Sequence, residues 1–293
     1  MSVVVGYLAG KAGRSGLHLA VEAARTLETS LVVVTIVPQP WMTPSPAKVD
    51  AEFAAYADKL GADSKLEAQR HLQKIGEGLD ISYRQVASRG AGDGLNEAVE
   101  EIGADVLVVG SSSDGAHGQV VLGSTTDWLL HSSPVPVAIS PRGYRATRGG
   151  KLVRVTCAYS GTAESVRVVE RVAALTAQLD VAMRVVSFAI RGRTMFPPLV
   201  GLQTEDSLLD AWAEQMREMS AKLKVDGVVG DDVAVEVVTG NGWDQALDAV
   251  EWEDGDLLAL GTTSRRTIKG VFLGSHGAKI IRFSPVPVLV LPS

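Results

Sequence analysis

At 293 residues, with hydrophobic residues at 46% and charged residues at 21%, the chain is long enough for two ordinary domains and has the composition of a folded protein, which excludes disorder and fibrous repeats. Lys and Arg stand at 13 against 16 Asp and Glu in residues 1–150, and at 15 against 18 in 151–293, so each half carries −3 of the net −6. An even, mildly acidic balance argues against a nucleic-acid surface, no run approaches 18 uninterrupted apolar residues for a membrane span, and "MSVVVGYLAGKAG" lacks the lead of a signal peptide. The single cysteine, Cys157, cannot form an internal disulfide, which fits a reducing compartment, and a cytoplasmic protein is the expectation.

Short Val-, Ile- and Leu-rich runs alternate with longer stretches of helical period. In chain order the first half predicts strands at 3–7, 31–37, 81–87, 105–110 and 135–140, with helices near 15–27, 48–77, 93–102 and 124–131. The second half repeats the order: strands in "LVRVTCA", "VAMRVVSFA", "VAVEVV", "DLLALG" and "VPVLVL", with helices near 163–178, 205–224, 243–252 and 275–282. Strands apolar on both faces and joined by helical crossovers imply a parallel sheet covered on both sides.

Landmarks recur at a constant offset: Asp105 and Asp256, Gly110 and Gly261, Ser113 and Ser264, Gly123 and Gly274, Ser124 and Ser275, Pro134 and Pro285, Pro136 and Pro287. A duplicated domain accounts for this, with one copy at 1–143, a solvated Pro-, Gly- and Arg-containing linker at 144–150, and the other copy at 151–293. The last strand of each half opens with "SPVPV", and proline donates no amide hydrogen, so this strand belongs at a sheet edge. An edge as apolar as "PVPVLVL" calls for cover. Two copies in one chain can cover each other, giving an intramolecular pseudo-dimer of the halves.

The duplicated stretch "GSSSDGAHGQVVLGS" (110–124) and "GTTSRRTIKGVFLGS" (261–275) leaves the C-terminal end of the fourth strand of its half and ends in Gly-Ser at a helix start. Open parallel sheets place ligands there. Unpaired amides and partial positive charge at such a helix start suit a phosphate, and glycine permits close backbone approach. The alternative is that Ser124 and Ser275 are helix caps. The first copy has Asp114 and no cation between its glycines, whereas the second has Arg265, Arg266 and Lys269. Those cations either attract an anion to the second copy or form a solvated rim.

The combination of strand, Gly-x2-Ser-x9-Gly-Ser, helix and "SPVPV" in each half resembles the tandem form of the universal stress protein family. The resemblance implies two doubly wound α/β domains, each a five-stranded parallel sheet of order 3-2-1-4-5, and non-enzymatic stress-response binding or sensing. Many members bind ATP through Gly-x2-Gly-x9-Gly-[Ser/Thr], so the resemblance implies an ATP or other adenine-nucleotide site at Gly110, Ser113, Gly123 and Ser124, and at Gly261, Ser264, Arg266, Gly274 and Ser275. Ser113 and Ser264 depart from the second glycine of that pattern. Nucleotide-binding relatives also place an aspartate just after the first strand, where "GYLAG" (6–10) and "AYSG" (158–161) hold no acid. The sites are therefore expected to be degenerate, and the competing expectation is an interaction module for a protein partner.

Other features weigh less. "SGTAES" (160–165) loosely resembles a pyrophosphate loop, and Thr162 reads more simply as a helix cap. His18, His71, His117, His131 and His276 lack metal-ligand spacing and are expected at the surface or at helix ends, with His276 within reach of an anion at the second loop. No Gly-x-Ser-x-Gly elbow places a nucleophile. Trp41, Met195 and Phe196, in proline-rich loops after the second strands, are expected as packing anchors or as a lid.

Overall fold

A computed structural model describes residues 2–10, 13–39, 49–112, 116–146, 150–190, 202–262 and 275–292. The chain divides into two compact units whose principal segments are Met1–Lys151 for the first and Leu152–Arg266 with Phe272–Leu291 for the second.

In the first unit the apolar runs become β1 (Ser2–Gly6), β2 (Ser30–Pro38), β3 (Ile81–Ser88), β4 (Val106–Gly110) and β5 (Val137–Ser140). They pair in parallel in the order β3-β2-β1-β4-β5, with Val3 beside Leu31 and Val106, and Val33 beside Tyr83. The inner strands β1 and β4 are Val- and Leu-rich and buried along nearly their whole length, whereas β3, at an edge, alternates half-buried and exposed positions. That is how the hydrophobic effect separates a strand covered on two faces from one that is not. Helices α1 (Arg14–Thr26) and α2 (Val49–Ile75) pack together, as do α3 (Ala91–Ile102) and α4 (Ser124–Ser132), so the sheet is doubly wound.

The second unit repeats this with β6 (Arg154–Ala158), β7 (Ala182–Ile190), β8 (Ala234–Gly240), β9 (Asp256–Gly261) and β10 (Val288–Leu291), in the order β8-β7-β6-β9-β10. Its helices are α5 (Ala163–Leu179), α6 (Leu202–Val225), α7 (Trp243–Asp248) and α8 (Ser275–Phe283). Both sheets have the expected 3-2-1-4-5 order. Within each sheet the proline-led strand lies at the end of that order. The prolines precede the strand and serve only as acceptors: Leu107 N–H donates to the Pro136 carbonyl (3.0 Å) and Leu258 N–H to that of Pro287 (2.9 Å).

The repeated aspartates anchor the N-terminal ends of the fourth strands, each differently. Asp105 accepts the Ser2 amide at 2.7 Å. Asp256, whose side chain is fully buried, accepts Nε of Arg154 at 3.0 Å and Nη2 at 2.6 Å, and also the Glu253 amide at 2.9 Å. The landmark is one, but Asp105 takes the amide of the neighbouring first strand, whereas Asp256 takes an arginine of that strand together with a local amide.

Candidate functional site

In the first half β4 delivers the chain at the C-terminal end of the sheet, and the stretch that follows is tied back at several points. Ser111 N–H donates to the Ser140 carbonyl (3.0 Å), the Ser111 hydroxyl accepts the Val121 amide (2.8 Å), and Ser112 N–H donates to the Val121 carbonyl (2.9 Å). Farther out, Gly118 N–H donates to the Arg142 carbonyl (2.8 Å) and Arg142 N–H to that of Gln119 (3.0 Å). The described part of the loop is thus paired to itself and to the strand end beyond β5.

The loop ends where expected. Gly123 is the N-cap of α4 and Ser124 its first helical residue. This corrects the reading of Ser124 as a cap: the capping position is one residue earlier, and no side chain caps the helix there. Gly123 is extended, with φ −82° and ψ 168°, a conformation open to any residue. A Cβ at 123 would meet Ser112 Cβ at 3.7 Å, ordinary contact. Among the described residues, neither backbone nor packing therefore requires glycine at this position. Gly110 lies against the start of α1, where a Cβ on Gly16 would come within 3.2 Å of the Gly110 nitrogen. The equivalent pair in the second half is Val168 and Gly261, with Val168 so close that a Cβ on Gly261 would collide with it.

Ser113 and Asp114 lie outside the described residues, as do Ser264, Arg265, Arg266, Lys269 and Gly274 of the second copy. Of that copy, Gly261 ends β9, Thr262 N–H donates to the Leu291 carbonyl (3.0 Å) as Ser111 does to Ser140, and Ser275 opens α8. The ring of His276 lies against that of Trp243, with centroids 5.5 Å apart. Trp41, Met195 and Phe196 fall outside the described residues as well.

Directly after the first strand of each half stands a buried tyrosine. Tyr7 N–H donates to the Val34 carbonyl and Tyr159 N–H to that of Val186, each at 2.9 Å. Burial, and then the Glu67 carboxylate, raises the Tyr7 phenol above its ordinary value; burial and Asp226 do the same at Tyr159. Neither phenol titrates near neutrality. Arg14 reaches Oε1 of Glu67 with Nε (3.2 Å) and Nη2 (3.0 Å). Burial opposes ionisation of Glu67, but the bonds and charge of Arg14, with Tyr7, hold its carboxyl below the usual range.

Thr162 is a helix cap as expected: it accepts the Ser165 amide (3.2 Å) and the Ser165 hydroxyl accepts the Thr162 amide (3.0 Å), a reciprocal capping box at α5. The expectation of surface histidines fails at His18, which is 4% exposed on α1, and at half-buried His71 on α2, whose Nε2 lies 3.2 Å from Nε2 of His18. Of the polar residues Ser15, His18 and Glu22 in the apolar α1 pattern, only His18 is singled out from the sequence. Their i, i+3, i+7 spacing puts them on one helix face and was the available signal. Among the described residues no group of three His, Cys, Asp or Glu side chains could hold a metal ion, and no helix is long and apolar enough to cross a membrane.

The comparisons with known proteins agree with this architecture. The family model described as "Universal stress protein family" matches residues 1–141 and again 152–292. Universal stress proteins of Mycobacterium tuberculosis and Mycobacterium bovis are each 55% identical over 292 residues, covering 100% of both chains. A shorter one from Mycolicibacterium smegmatis is 34% identical over 143 residues, 48% of this chain and 99% of its own. Among solved structures, a universal stress protein from Archaeoglobus fulgidus superposes with a TM-score of 0.61 at 17% identity, covering 99% of this chain and 98% of its own. A putative one from Pseudomonas aeruginosa gives 0.56 at 15% identity, covering 99% and 92%. Two matched segments, a full-length relative and the same strand order in each half lead to one conclusion: the chain belongs to the universal stress protein family, in tandem form.

Proposed function

We propose that this chain is a non-enzymatic stress-response binding protein whose duplicated loops are degenerate adenine-nucleotide sites, in the cytoplasm, with domains at 1–143 and 151–293. The observation that carries the reading is Gly123. It begins a helix without a side-chain cap, and neither its φ nor its described neighbours demand a missing Cβ, which supports close approach of another molecule's phosphate to the backbone there. The second loop is the favoured one for an anion, because Arg265, Arg266 and Lys269 lie between its glycines and Asp114 occupies the first. The residues this reading assigns there are Gly261, Ser264, Arg266, Gly274 and Ser275, with Ser264 in place of a glycine.

A second reading, a protein-interaction module that has lost nucleotide binding, is favoured by Tyr7 and Tyr159. These bulky, buried, neutral side chains directly follow the first strands, where nucleotide-binding members carry an acid. Titration of the full chain with a fluorescent ATP analogue tests between them. The nucleotide reading expects saturable binding that falls at least tenfold in Arg265→Ala/Arg266→Ala and is little changed in Ser124→Ala. No saturable binding, together with no adenine nucleotide released on denaturing the purified protein, would leave the interaction module.

A further inference from the structure

Between β5 and the second half the chain runs along α1, and three buried polar side chains of that helix hold it. The Ser15 hydroxyl accepts the Gly143 amide at 2.9 Å, His18 Nδ1 accepts the Ala146 amide at 3.2 Å, and Glu22 accepts the Tyr144 hydroxyl. Ser15, His18 and Glu22 are 3%, 4% and 1% exposed. Gly143 has φ +82°, and any Cβ there would also strike the His117 ring, so this path is specific to glycine. The expected solvated linker therefore starts as a docked strap. One residue earlier Arg142 carries the two main-chain bonds to Gly118 and Gln119 of the candidate binding loop.

The histidine pair has one neutral arrangement that satisfies every contact. Because Nδ1 of His18 accepts the Ala146 amide, its proton sits on Nε2, which donates to Nε2 of His71. His71 then keeps its own proton on Nδ1. The same arrangement disqualifies Nε2 of His18 as a metal ligand, since it carries hydrogen. Adding one proton breaks the set. If it goes to His71 Nε2, two N–H groups face each other; if His18 shifts its proton to Nδ1 to relieve this, that N–H faces the Ala146 N–H instead. A proton on His18 Nδ1 does the same directly.

We propose that His18 and His71 form a proton-operated latch, which holds the strap 143–146 on α1 when the pair is neutral and releases it, with the Arg142-paired part of the candidate loop, when the pair takes up a proton. The charged groups around it set the direction. Burial, then His71 and Arg145, draw His18 down to about 4. Burial with Arg14, Arg145 and Lys74 lowers His71 as well, against Glu67, which opposes them. On the strap side the pair faces Arg145 and the Tyr144–Glu22 contact. Cations therefore outnumber anions around the pair, and release belongs to acid rather than neutral conditions. The latch is argued independently of whether either loop takes a nucleotide.

Imidazole nitrogen NMR and amide hydrogen exchange of the full chain between pH 7.5 and 4, corrected for intrinsic exchange, test this. At pH 7.5 the expected spectra show His18 protonated on Nε2 and His71 on Nδ1. On acidification the protection of the Ala146 and Gly143 amides falls at least tenfold in step with the histidine titration, below the ordinary histidine range, while Val33 and Leu107 in the sheet stay protected. His18→Asn, whose side-chain oxygen can accept the Ala146 amide without titrating, should keep the strap protected at pH 5. Strap protection independent of pH, simultaneous loss of the sheet amides, or wild-type pH dependence in His18→Asn would each overturn the latch.

Discussion

Asp256→Ala should destabilise the second half far more than its single residue suggests. The carboxylate is fully buried and takes two bonds from Arg154 and one from the Glu253 amide, and Arg154 is itself only 21% exposed. Truncation takes from a largely buried guanidinium its nearest counter-charge, leaving it Glu253 at 3.6 Å and the Glu251 carbonyl, and strands a main-chain N–H. Removing one partner of a buried pair costs about 3–5 kcal/mol, which for a domain of this size lowers the melting point by roughly 10 °C or more. A chain of two compact units is not bound to a single two-state transition, so the loss must be assigned to one of them. Urea unfolding with hydrogen exchange at Cys157 and Leu258, against Val5 and Leu107, does so; only the first pair should move. The pair is costly to break but not costly to replace, because apolar or neutral substitution of both partners removes the desolvation penalty along with the attraction. Arg154→Met with Asp256→Asn, which keeps an acceptor for the Glu253 amide, should therefore recover most of the loss. A cost for Asp256→Ala below about 1 kcal/mol, or a double variant no better than the single, would refute the buried-pair reasoning.

Three further outcomes are expected. Gly16→Ala places a Cβ 3.2 Å from the Gly110 nitrogen in the inner strand β4, which cannot move aside, and should cost about 1–2 kcal/mol despite the helix-propensity gain, read by thermal unfolding. Burial pushes the Cys157 thiol up to about 12, so at pH 8 its thiolate is roughly one part in ten thousand and a thiol reagent should label it only after unfolding; prompt labelling of native protein would contradict the burial. His18 is lowered to about 4 from 6.5, so the unfolded chain binds its proton first as pH falls: the stabilisation is complete above about pH 6.5 and is lost progressively towards pH 4, by up to about 3 kcal/mol, and His18→Asn should flatten that slope in pH-dependent urea unfolding of the first half.

Much of the fold was legible because it is written locally. Runs such as "VVVG" and "VLVVG" can only be buried strands, the repeated Gly-Ser punctuates loop from helix, and crossover helices force parallel pairing, which carries the 3-2-1-4-5 order into both halves once the family pattern is seen. Boundaries were less secure. Helix α7 was expected to run to about 252 and stops at Asp248, where the chain turns so that Val250 is buried and the Trp252 indole takes the Leu247 carbonyl at 2.7 Å. The helix expected over 124–131 is found at Ser124–Ser132, so the alternative of Ser124 as a cap gives way to Gly123 in that position.

The sequence by itself determined the duplication, the parallel sheets and the position of the glycine-serine helix starts, since each follows from periodicity and from what proline and glycine allow a backbone to do. The tertiary structure alone decided that Arg154 would meet Asp256 across the register of β6 and β9, that tyrosines would be buried after the first strands, and that His18 would meet His71 and the Ala146 amide. These partners lie up to 128 residues apart. Their meeting depends on which faces the helices turn to the sheet and to each other, and the packing of the whole layer, rather than any local preference, sets that choice.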